Sequence, residues 1–451
     1  MEDKQLGLRN FINTGAILIA LLLLVGALTY LVPSGVFDVN TRTFTPVDQA
    51  GIALWVWLLS PLLVLLGDAG ALIIGIIVFL LLIGGALHVL KVTGLIEGSI
   101  VSIARRFARR EGLLLGALLL AFMSLGAFVG VFEEVVPLVP MVVLLARGMG
   151  WDTLTGLGVS VLAAGLGFAA AVTNPFTVGV AQELAGVPLF SGALLRFIVF
   201  LSVYAMLMFY LRRHIARTRS VERVLSLTNE SVLPKAAYVY FVACMAVMMV
   251  VVAASPAVPL LRDLSLLVIA LIFLLAAVGV GLLAGMKLAW VGRQYLIGAW
   301  GMAPAIVLIL LASSIRHVMT EGRLLDWILY RAWETIGQFA PFTALLAVFL
   351  LVLFLNFFIG SGSAKAFILM PIIVPTMDFL GIGRQLGILA FQFGDGFSNV
   401  LYPTNAVLLI SLGLAGISYA KWFRFIWPLQ LGLLALSIFW MWIGYTLGYG
   451  L

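Results

Sequence analysis

The sequence has few charged residues and a single cysteine for its length. Only 10% of its 451 residues are charged, whereas 63% are hydrophobic and the mean hydropathy is +1.20. A water-soluble globule of this size needs far more polar surface. Because Cys244 is alone, an intramolecular disulfide or a cysteine-based metal cluster is excluded within one chain. The composition predicts an integral membrane protein.

The motifs of several enzyme classes are also absent. The chain has no HExxH motif for a zinc protease and no GxxxxGK[ST] loop for nucleotide phosphates. Gly394 and Asp395 suggest an intramembrane aspartyl protease, but no other predicted span carries the second interior aspartate that such an enzyme needs. The net charge of +7 lies in short loops without a nucleic-acid motif. We expect no enzymatic activity, no cofactor beyond a possible coupling Na⁺, and no nucleic-acid partner.

Long apolar runs dominate the chain instead. A membrane span needs about 20 apolar residues. The run at 12–33 is too long for a signal peptide and has no small-x-small cleavage signal, so we interpret it as the first span. Nine spans are predicted, at 12–33, 70–90, 154–184, 192–211, 236–256, 264–285, 297–316, 386–416 and 425–447.

Two further apolar stretches are each interrupted halfway by small or polar residues. The stretch at 112–147 contains "GVFEE" at 130–134, and the stretch at 341–377 contains "GSGSAK" at 360–365. We interpret both as re-entrant helical hairpins. The sequence therefore predicts an all-α polytopic membrane protein with about nine spans and two hairpins.

The basic residues predict the orientation of the chain. With the N-terminus in the cytoplasm, 18 lysines and arginines face the cytoplasm and 6 face the outside. This bias follows the positive-inside rule. We expect a multi-pass protein of the cytoplasmic (inner) membrane whose C-terminus lies outside.

The two halves of the chain are related by a fixed offset of 231 residues. Glycine, proline, threonine and asparagine recur at this offset in the pairs Pro140/Pro371, Gly150/Gly381, Gly156/Gly387, Gly165/Gly396, Thr173/Thr404 and Asn174/Asn405. An odd number of predicted spans separates the starts of the two repeats, which gives them opposite orientations. Inverted repeats with broken apolar helices indicate a secondary transporter whose site lies near the membrane midplane.

The repeat divides the chain into six segments, and the basic linker at 212–235 separates its halves. The predicted segments are first-repeat scaffold helices (1–111), the first hairpin and broken helix (112–190), a span with the cytoplasmic linker (191–235), second-repeat scaffold helices (236–340), the second hairpin and broken helix (341–417), and a C-terminal span (418–451).

The two helix breaks carry matching Thr-Asn pairs beside prolines. Because proline lacks an amide donor and disfavours helical geometry in the preceding residue, Pro175 and Pro403 predict unwinding. Free carbonyls with threonine and asparagine oxygens suit Na⁺, and helix N-termini suit a carboxylate. The alternative is a kink that only packs against a neighbouring helix. We predict Thr173, Asn174, Thr404 and Asn405 as substrate ligands, with Asn174, Asn405 and Asp395 as possible Na⁺ ligands.

The hairpin tips carry charges inside apolar stretches. Ser361, Ser363 and Lys365 suit an anion, although a surface loop with a snorkelling lysine is the alternative. Glu133 and Glu134 could bind a cationic substrate, carry protons, ligate a cation or pair with Lys365. Asn399 follows Asp395 by one helical turn and adds a substrate ligand, whereas a structural ion pair of Asp395 stays open.

Four stretches together resemble a known family. They are "GVFEEVVPLVP", "GFAAAVTNPFTVGVAQELAG", "GSGSAKAFILMPIIVP" and "FQFGDGFSNVLYPTNA". They are similar to YfcC-type members of the DcuC (C4-dicarboxylate carrier) family, within the ion transporter superfamily. The resemblance implies an elevator-type carrier with a homodimeric scaffold and a mobile transport domain. It also implies either C4-dicarboxylates, which Lys365 would suit, or arginine–ornithine exchange, which Glu133 and Glu134 would suit.

Our hypothesis from the sequence is a secondary active transporter. It would move a small carboxylate-bearing metabolite, either a C4-dicarboxylate or an amino acid, by symport or antiport coupled to Na⁺ or H⁺. A basic amino acid exchanger of the arginine–ornithine type is one alternative. An ion channel is the alternative from another class, because broken inverted helices also occur in channels.

Overall fold

The computed structural model describes residues 2–38, 41, 43–47, 51–67, 70–95, 98, 107, 110–218, 233–254 and 258–450. Within these ranges the chain is almost entirely helical. The elements are α1 (Glu2–Leu31), β1 (Gly35–Asp38), β2 (Thr43–Pro46), α2 (Leu54–Leu63), α3 (Gly70–Val92), α4 (Glu111–Ser124), α5 (Val139–Gly148), α6 (Thr153–Ala169), α7 (Val180–Leu184), α8 (Ala193–Thr218), α9 (Lys235–Ala254), α10 (Pro259–Leu283), α11 (Leu288–Trp300), α12 (Ala303–Glu321), α13 (Leu324–Ile336), α14 (Pro341–Asn356), α15 (Gly362–Phe379), α16 (Arg384–Gly396), α17 (Ala406–Ala415) and α18 (Tyr419–Thr446).

Eight helices among the described residues are long and apolar enough to cross a bilayer. They are Thr14–Leu31, Gly70–Val92, Glu111–Val129, Ala193–Thr218, Leu266–Leu283, Leu288–Glu321, Gly362–Phe379 and Tyr419–Thr446. A helical chain with this many apolar segments is a multi-pass membrane protein.

These helices overlap the predicted spans only in part. The predicted spans at 154–184 and 386–416 are interrupted helices, and the predicted span at 236–256 falls on a shorter apolar helix. Two of the eight candidates, Glu111–Val129 and Gly362–Phe379, are instead arms of the predicted hairpins. Length and hydropathy identify the long helices well, but they merge the halves of an interrupted helix into one run.

A small sheet lies in a region where the sequence predicts no element. Strands β1 and β2 pair antiparallel between α1 and α2. The amide of Phe37 donates to Asp326 Oδ1 at 3.1 Å, and the Phe44 ring stacks on Tyr330 at a centroid distance of 4.8 Å. This sheet therefore packs on α13, which belongs to the other half of the sequence.

The helices pack in two sets. In one set, α3 packs against α10 and α11, and α1 packs against α12. In the other set, α14 and α15 pack against α16, while α15 also packs against α7. The second set contains one half of each interrupted helix, α7 and α16, and the second hairpin. The polar residues singled out in the sequence lie mainly in this set.

Glycines allow the interrupted helices to approach their neighbours closely. A Cβ at Gly167 would lie 2.0 Å from the carbonyl oxygen of Met123, and a Cβ at Gly396 would lie 2.3 Å from the Cα of Ala169. Both clashes are with backbone, which cannot rotate away. The first contact joins α6 to α4, and the second joins α16 to α6.

Replacing Gly167 should therefore separate two helix backbones. We expect Gly167→Ala to destabilise the protein by about 1–3 kcal/mol through overpacking. Gly75→Ala is the matched control, because nothing lies within 4 Å of a Cβ at this helical glycine. Thermal unfolding of the purified protein in detergent should show a lowered midpoint for Gly167→Ala only. An equal midpoint in the two variants would contradict the close approach.

Candidate functional site

The first helix break is capped by its own asparagine. Helix α6 ends at Ala169, and Asn174 Oδ1 accepts a hydrogen bond from the amide of Phe176 at 2.8 Å. Pro175 then begins a π-helical turn that continues into α7. Thr173 Oγ1 donates to the carbonyl of Phe128, at the end of the first hairpin arm, at 3.2 Å. The unwound backbone thus finds partners inside the protein.

The second helix break has the same design. Helix α17 begins after Asn405, whose Oδ1 accepts from the amide of Leu408 at 3.1 Å. Thr404 Oγ1 donates to the carbonyl of Phe357, at the end of α14, at 2.6 Å. Each Thr-Asn pair therefore performs two tasks. The threonine ties the break to the first arm of the nearest hairpin, and the asparagine caps the helix that follows.

Lys365 forms a buried ion pair with Asp395. Lys365 Nζ lies 2.5 Å from Asp395 Oδ1, and the exposed fractions of the two residues are 0% and 1%. The ammonium also donates to Asn356 Oδ1. Lys365 lies in the first turn of α15 and Asp395 in the last turn of α16. The lysine charge is thus compensated inside the protein.

A polar network extends from this pair toward the second break. Asn356 Nδ2 donates to Ser398 Oγ at 2.7 Å and to Asn399 Oδ1 at 2.9 Å. Asn405 Nδ2 donates to the same oxygen of Asn399 at 3.3 Å. The ion pair, the amide cluster and the cap of α17 therefore form one connected unit.

The second hairpin tip contacts the first helix break. Ser363 Oγ donates to the carbonyl of Phe176 at 2.7 Å, and Ser361 Oγ accepts from the amide of Ala364 at 3.3 Å as the N-cap of α15. A Cβ at Gly362 would lie 2.9 Å from both Asp395 Oδ2 and Thr177 Cγ2. The glycine thus lets the tip fit between the two interrupted helices.

The interrupted helices also bind each other directly. Gln392 Nε2 donates to the carbonyls of Ala169 and Ala171, each at 2.9 Å. These are carbonyls that the end of α6 leaves without helical partners. Gln392 Oε1 and Thr177 Oγ1 are buried and have no hydrogen-bond partner in the described structure. They are polar atoms available to a bound molecule.

The first hairpin tip presents two carboxylates. Glu133 is exposed and has no ion pair within the described residues, whereas Glu134 Oε2 accepts from the amide of Phe132 at 3.2 Å. The 3₁₀ turn Glu133–Leu138 contacts α10 and α17. A Cβ at Gly165 would touch both Phe132 and Val400, which places this tip near the second helix break.

Sequence reasoning missed Asn356 and Arg316. Asn356 stands alone in the apolar run "LVLFLNFF". A lone asparagine in such a run indicates a polar contact inside the protein, so the sequence could have identified it. Arg316 is one of the six basic residues that the predicted orientation places outside, yet it is half-buried on α12 and close enough to Lys365 to repel its charge. It makes no hydrogen bond or ion pair within the described part of the chain. An unpaired arginine inside an apolar helix is expensive unless a bound anion compensates it.

Arg316 lies toward the start of α17. A Cβ at Gly413 would lie 3.6 Å from Ala305 Cβ, while Leu409 shares an apolar cluster with Leu308 and Ile315. Helices α12 and α17 pack against each other. Arg316 lies close enough to Lys365 to repel its charge, and Lys365 is joined through Asn356 and Asn399 to Asn405 at the start of α17.

The structure brings most of the predicted site residues together, and the three predicted Na⁺ ligands have protein partners. Asn174 and Asn405 each use the side-chain oxygen to cap the following helix, and Asp395 pairs with Lys365. The described residues contain no cluster of three or more His, Cys, Asp and Glu side chains suited to a metal ion. Na⁺ binding by these three residues stays a prediction.

Comparisons with known proteins identify the family of the chain. The family model "DcuC: C4-dicarboxylate anaerobic carrier" matches residues 13–446. The chain is 30% identical over 376 residues to the "Putative basic amino acid antiporter YfcC" of Escherichia coli K12, covering 78% of this chain and 73% of that protein. It is 22% identical over 374 residues to an uncharacterized protein of Haemophilus influenzae, covering 79% and 72%. The crystal structure of the Alcanivorax borkumensis YdaH transporter aligns with 98% of each chain at 20% identity and a TM-score of 0.46.

The helical membrane fold and the sequence relatives define the chain as a membrane transporter. The chain belongs to the DcuC family, because the family model covers it almost from end to end and YfcC is similar over most of its length. The resemblance that the four sequence stretches indicate is thus confirmed.

The buried ion pair yields a stability prediction. Asp395→Leu alone leaves the ammonium of Lys365 buried without its counterion, which should cost about 3–5 kcal/mol. The double variant Asp395→Leu with Lys365→Met removes both charges and should recover most of that loss. Thermal unfolding in detergent measures the coupling between the two positions. Additive losses in the double variant would contradict a direct ion pair.

Proposed function

We propose that this protein is a secondary active transporter that exchanges amino acids with a cationic side chain across the cytoplasmic membrane. The observation that carries this proposal is the exposed, unpaired carboxylate of Glu133 at the first hairpin tip. A carboxylate without a counterion near two helix breaks favours a positively charged ligand. Glu134, the next residue, adds a second carboxylate beside it.

The ion pair of Lys365 also favours a cationic amino acid over a dicarboxylate. In the sequence, Lys365 favours a dicarboxylate substrate. In the structure its ammonium is fully buried and paired with Asp395, so it has no charge left for a substrate anion. The ion pair therefore removes one of the cationic groups that a dicarboxylate could bind.

The carboxylate end of an amino acid has a separate candidate partner. Arg316 is half-buried, unpaired in the described structure, and lies toward the N-terminus of α17. A guanidinium on the same side as a helix N-terminus would favour a carboxylate between them through both its charge and the helix dipole. Glu133 and Arg316 would then bind opposite ends of one zwitterionic substrate that carries an additional positive charge.

The relatives support two substrate classes. The name of YfcC refers to basic amino acid antiport, which agrees with an acidic tip. The family name refers to C4-dicarboxylates, and Arg316 is the observation that favours this second candidate. A C4-dicarboxylate would place one carboxylate at Arg316 and would bring the other near Glu133, where like charges repel.

We infer an inverted repeat and an elevator mechanism for this carrier. The matching hydrogen bonds of Thr173 and Thr404, and the matching caps of Asn174 and Asn405, support the repeat. The division into two packing sets supports a scaffold and a transport domain that moves against it. A homodimeric scaffold, a cytoplasmic N-terminus and coupling to Na⁺ or H⁺ are further parts of the proposal. An ion channel would differ from this carrier by its lack of saturation and of exchange.

The proposal is tested with purified protein in proteoliposomes. We expect labelled arginine to enter vesicles faster when they contain unlabelled ornithine, with saturation at high arginine concentration. Labelled succinate should not enter at a comparable rate. Succinate uptake without arginine uptake would instead assign the protein to dicarboxylate transport.

Neutralising Glu133 should reduce recognition of the cationic side chain. We expect Glu133→Gln to lower kcat/KM for arginine on the order of tenfold or more, because the bound substrate would bury its cationic side chain against this carboxylate, and loss of one partner of such a pair costs about 2 kcal/mol or more. Glu183→Gln is the matched control, since Glu183 is an exposed glutamate outside the hairpin tips. Initial exchange rates at varied arginine concentration provide the measurement. Equal kcat/KM in both variants would remove Glu133 from the site.

Neutralising Arg316 should weaken binding of the substrate carboxylate. We expect Arg316→Gln to raise KM for arginine on the order of tenfold, whereas agmatine, which lacks the carboxylate, should compete with arginine no less well than before. Arg293→Gln is the control, because Arg293 is an exposed arginine on α11. Competition assays with both ligands separate loss of a carboxylate partner from a general loss of activity. Equal weakening of arginine and agmatine would contradict the assignment.

A further inference from the structure

The Lys365 ammonium lies where a coupling cation is expected in a carrier with broken helices. In such carriers the C-terminal ends of half-helices and nearby oxygens hold Na⁺. Asp395 stands in the last turn of α16, directly before the second break, and its carboxylate contacts Lys365 Nζ at 2.5 Å. The negative end of the helix dipole and the carboxylate both favour a cation at this point.

The atoms around the ammonium are the kind of ligands that Na⁺ prefers. Lys365 contacts one carboxylate oxygen of Asp395 and the amide oxygen of Asn356. Asn356 also contacts the oxygens of Ser398 and Asn399, which lie 2.7 and 2.9 Å from its Nδ2. These two oxygens are thus connected to the ammonium through Asn356. Oxygens of this kind are the ligands of hard cations. The ammonium contacts two of them, those of Asp395 and Asn356. We refer to these two oxygens, with those of Ser398 and Asn399 beyond Asn356, as the cage.

The cage occurs in only one half of the chain. At the offset of 231 residues, Asp395 corresponds to Ala164, Asn399 to Phe168 and Lys365 to Glu134. The first half therefore has neither the carboxylate nor the lysine of this pair. One half has both Asp395 and Lys365, and the other half has no carboxylate at the first of these positions and no lysine at the second. This pattern is expected if the buried carboxylate and the buried lysine each require the other.

We propose that Lys365 is a resident cation that occupies the place of a coupling Na⁺, so that transport by this protein is independent of Na⁺. The proposal deepens the proposed function and rests on the chain being a carrier. The driving force for transport would then be either the exchange of substrates or a proton gradient. Arg316 is the other nearby charge, and its repulsion of Lys365 leaves Asp395 as the group that holds the ammonium in place.

The first test uses the wild-type protein and needs no substrate. We expect its thermal unfolding midpoint in detergent to be equal in NaCl, KCl and choline chloride of equal ionic strength. A bound Na⁺ would instead raise the midpoint in a saturable manner. Such a rise in the wild type would overturn the proposal.

The second test opens the cage. Lys365→Ala removes the ammonium and leaves room for a free cation beside Asp395, so NaCl should raise its unfolding midpoint by several degrees relative to choline chloride. Lys365→Met is the matched control, because it removes the charge but keeps the volume filled, and it should not respond to Na⁺. A folded Lys365→Ala variant that is indifferent to Na⁺ would show that the oxygens do not form a cation site. If Lys365→Ala does not fold, the wild-type measurement decides.

Transport assays separate this inference from the proposed function. Arginine exchange at equal initial rates in Na⁺ and in choline supports both. Exchange that requires Na⁺ would overturn the inference and leave the transporter assignment intact. If arginine is not transported and the unfolding midpoints do not respond to Na⁺, the assignment of arginine as substrate is contradicted. The assignment of Lys365 as a resident cation would still stand.

Discussion

Every backbone amide and carbonyl within the hydrocarbon layer must find a hydrogen-bond partner in the protein, and this requirement shapes the site. Two interrupted helices expose such groups at their breaks. Asn174 and Asn405 satisfy amides at the start of the following helices, while Gln392 satisfies two carbonyls at the end of α6. Each unsatisfied group would cost several kcal/mol. The polar side chains are thus needed for folding before they can contribute to transport.

This double use explains why the site is built mainly from amides and hydroxyls. Side chains such as Asn399 and Thr404 bind neighbouring protein groups without introducing a charge. The charges that are present are arranged in two ways. Asp395 and Lys365 compensate each other completely, whereas Glu133 and Arg316 have no ion-pair partner in the described structure. The paired charges hold the second hairpin tip against α16. The two charges without an ion-pair partner are the ones that a charged ligand could pair with.

Much of this could be predicted from the sequence, because the relevant signals are local. A Thr-Asn pair beside a proline in an apolar run locates both breaks, and small residues locate both tips. The partners could not be predicted, because they depend on which elements meet in space. Nothing in the sequence near Lys365 indicates that Asp395, thirty residues later, neutralises it. Likewise, the place of Arg316 depends on the packing of α12 on α17, which hydropathy does not encode. The sheet near α13 was missed because its strands of four residues are short.

The opposite charges at the two tips have a consequence for substrate choice. Glu134 and Lys365 occupy corresponding positions, so a strictly symmetric ancestor could not have carried both. The second tip neutralises its charge with Asp395 and closes on the first break through Ser363. The first tip keeps the exposed carboxylate of Glu133. In the proposed carrier, one neutral tip and one acidic tip would bind a substrate in one orientation, with its positive end at the acidic tip. An amino acid with a cationic side chain would fit this polarity, whereas a symmetric dianion would not.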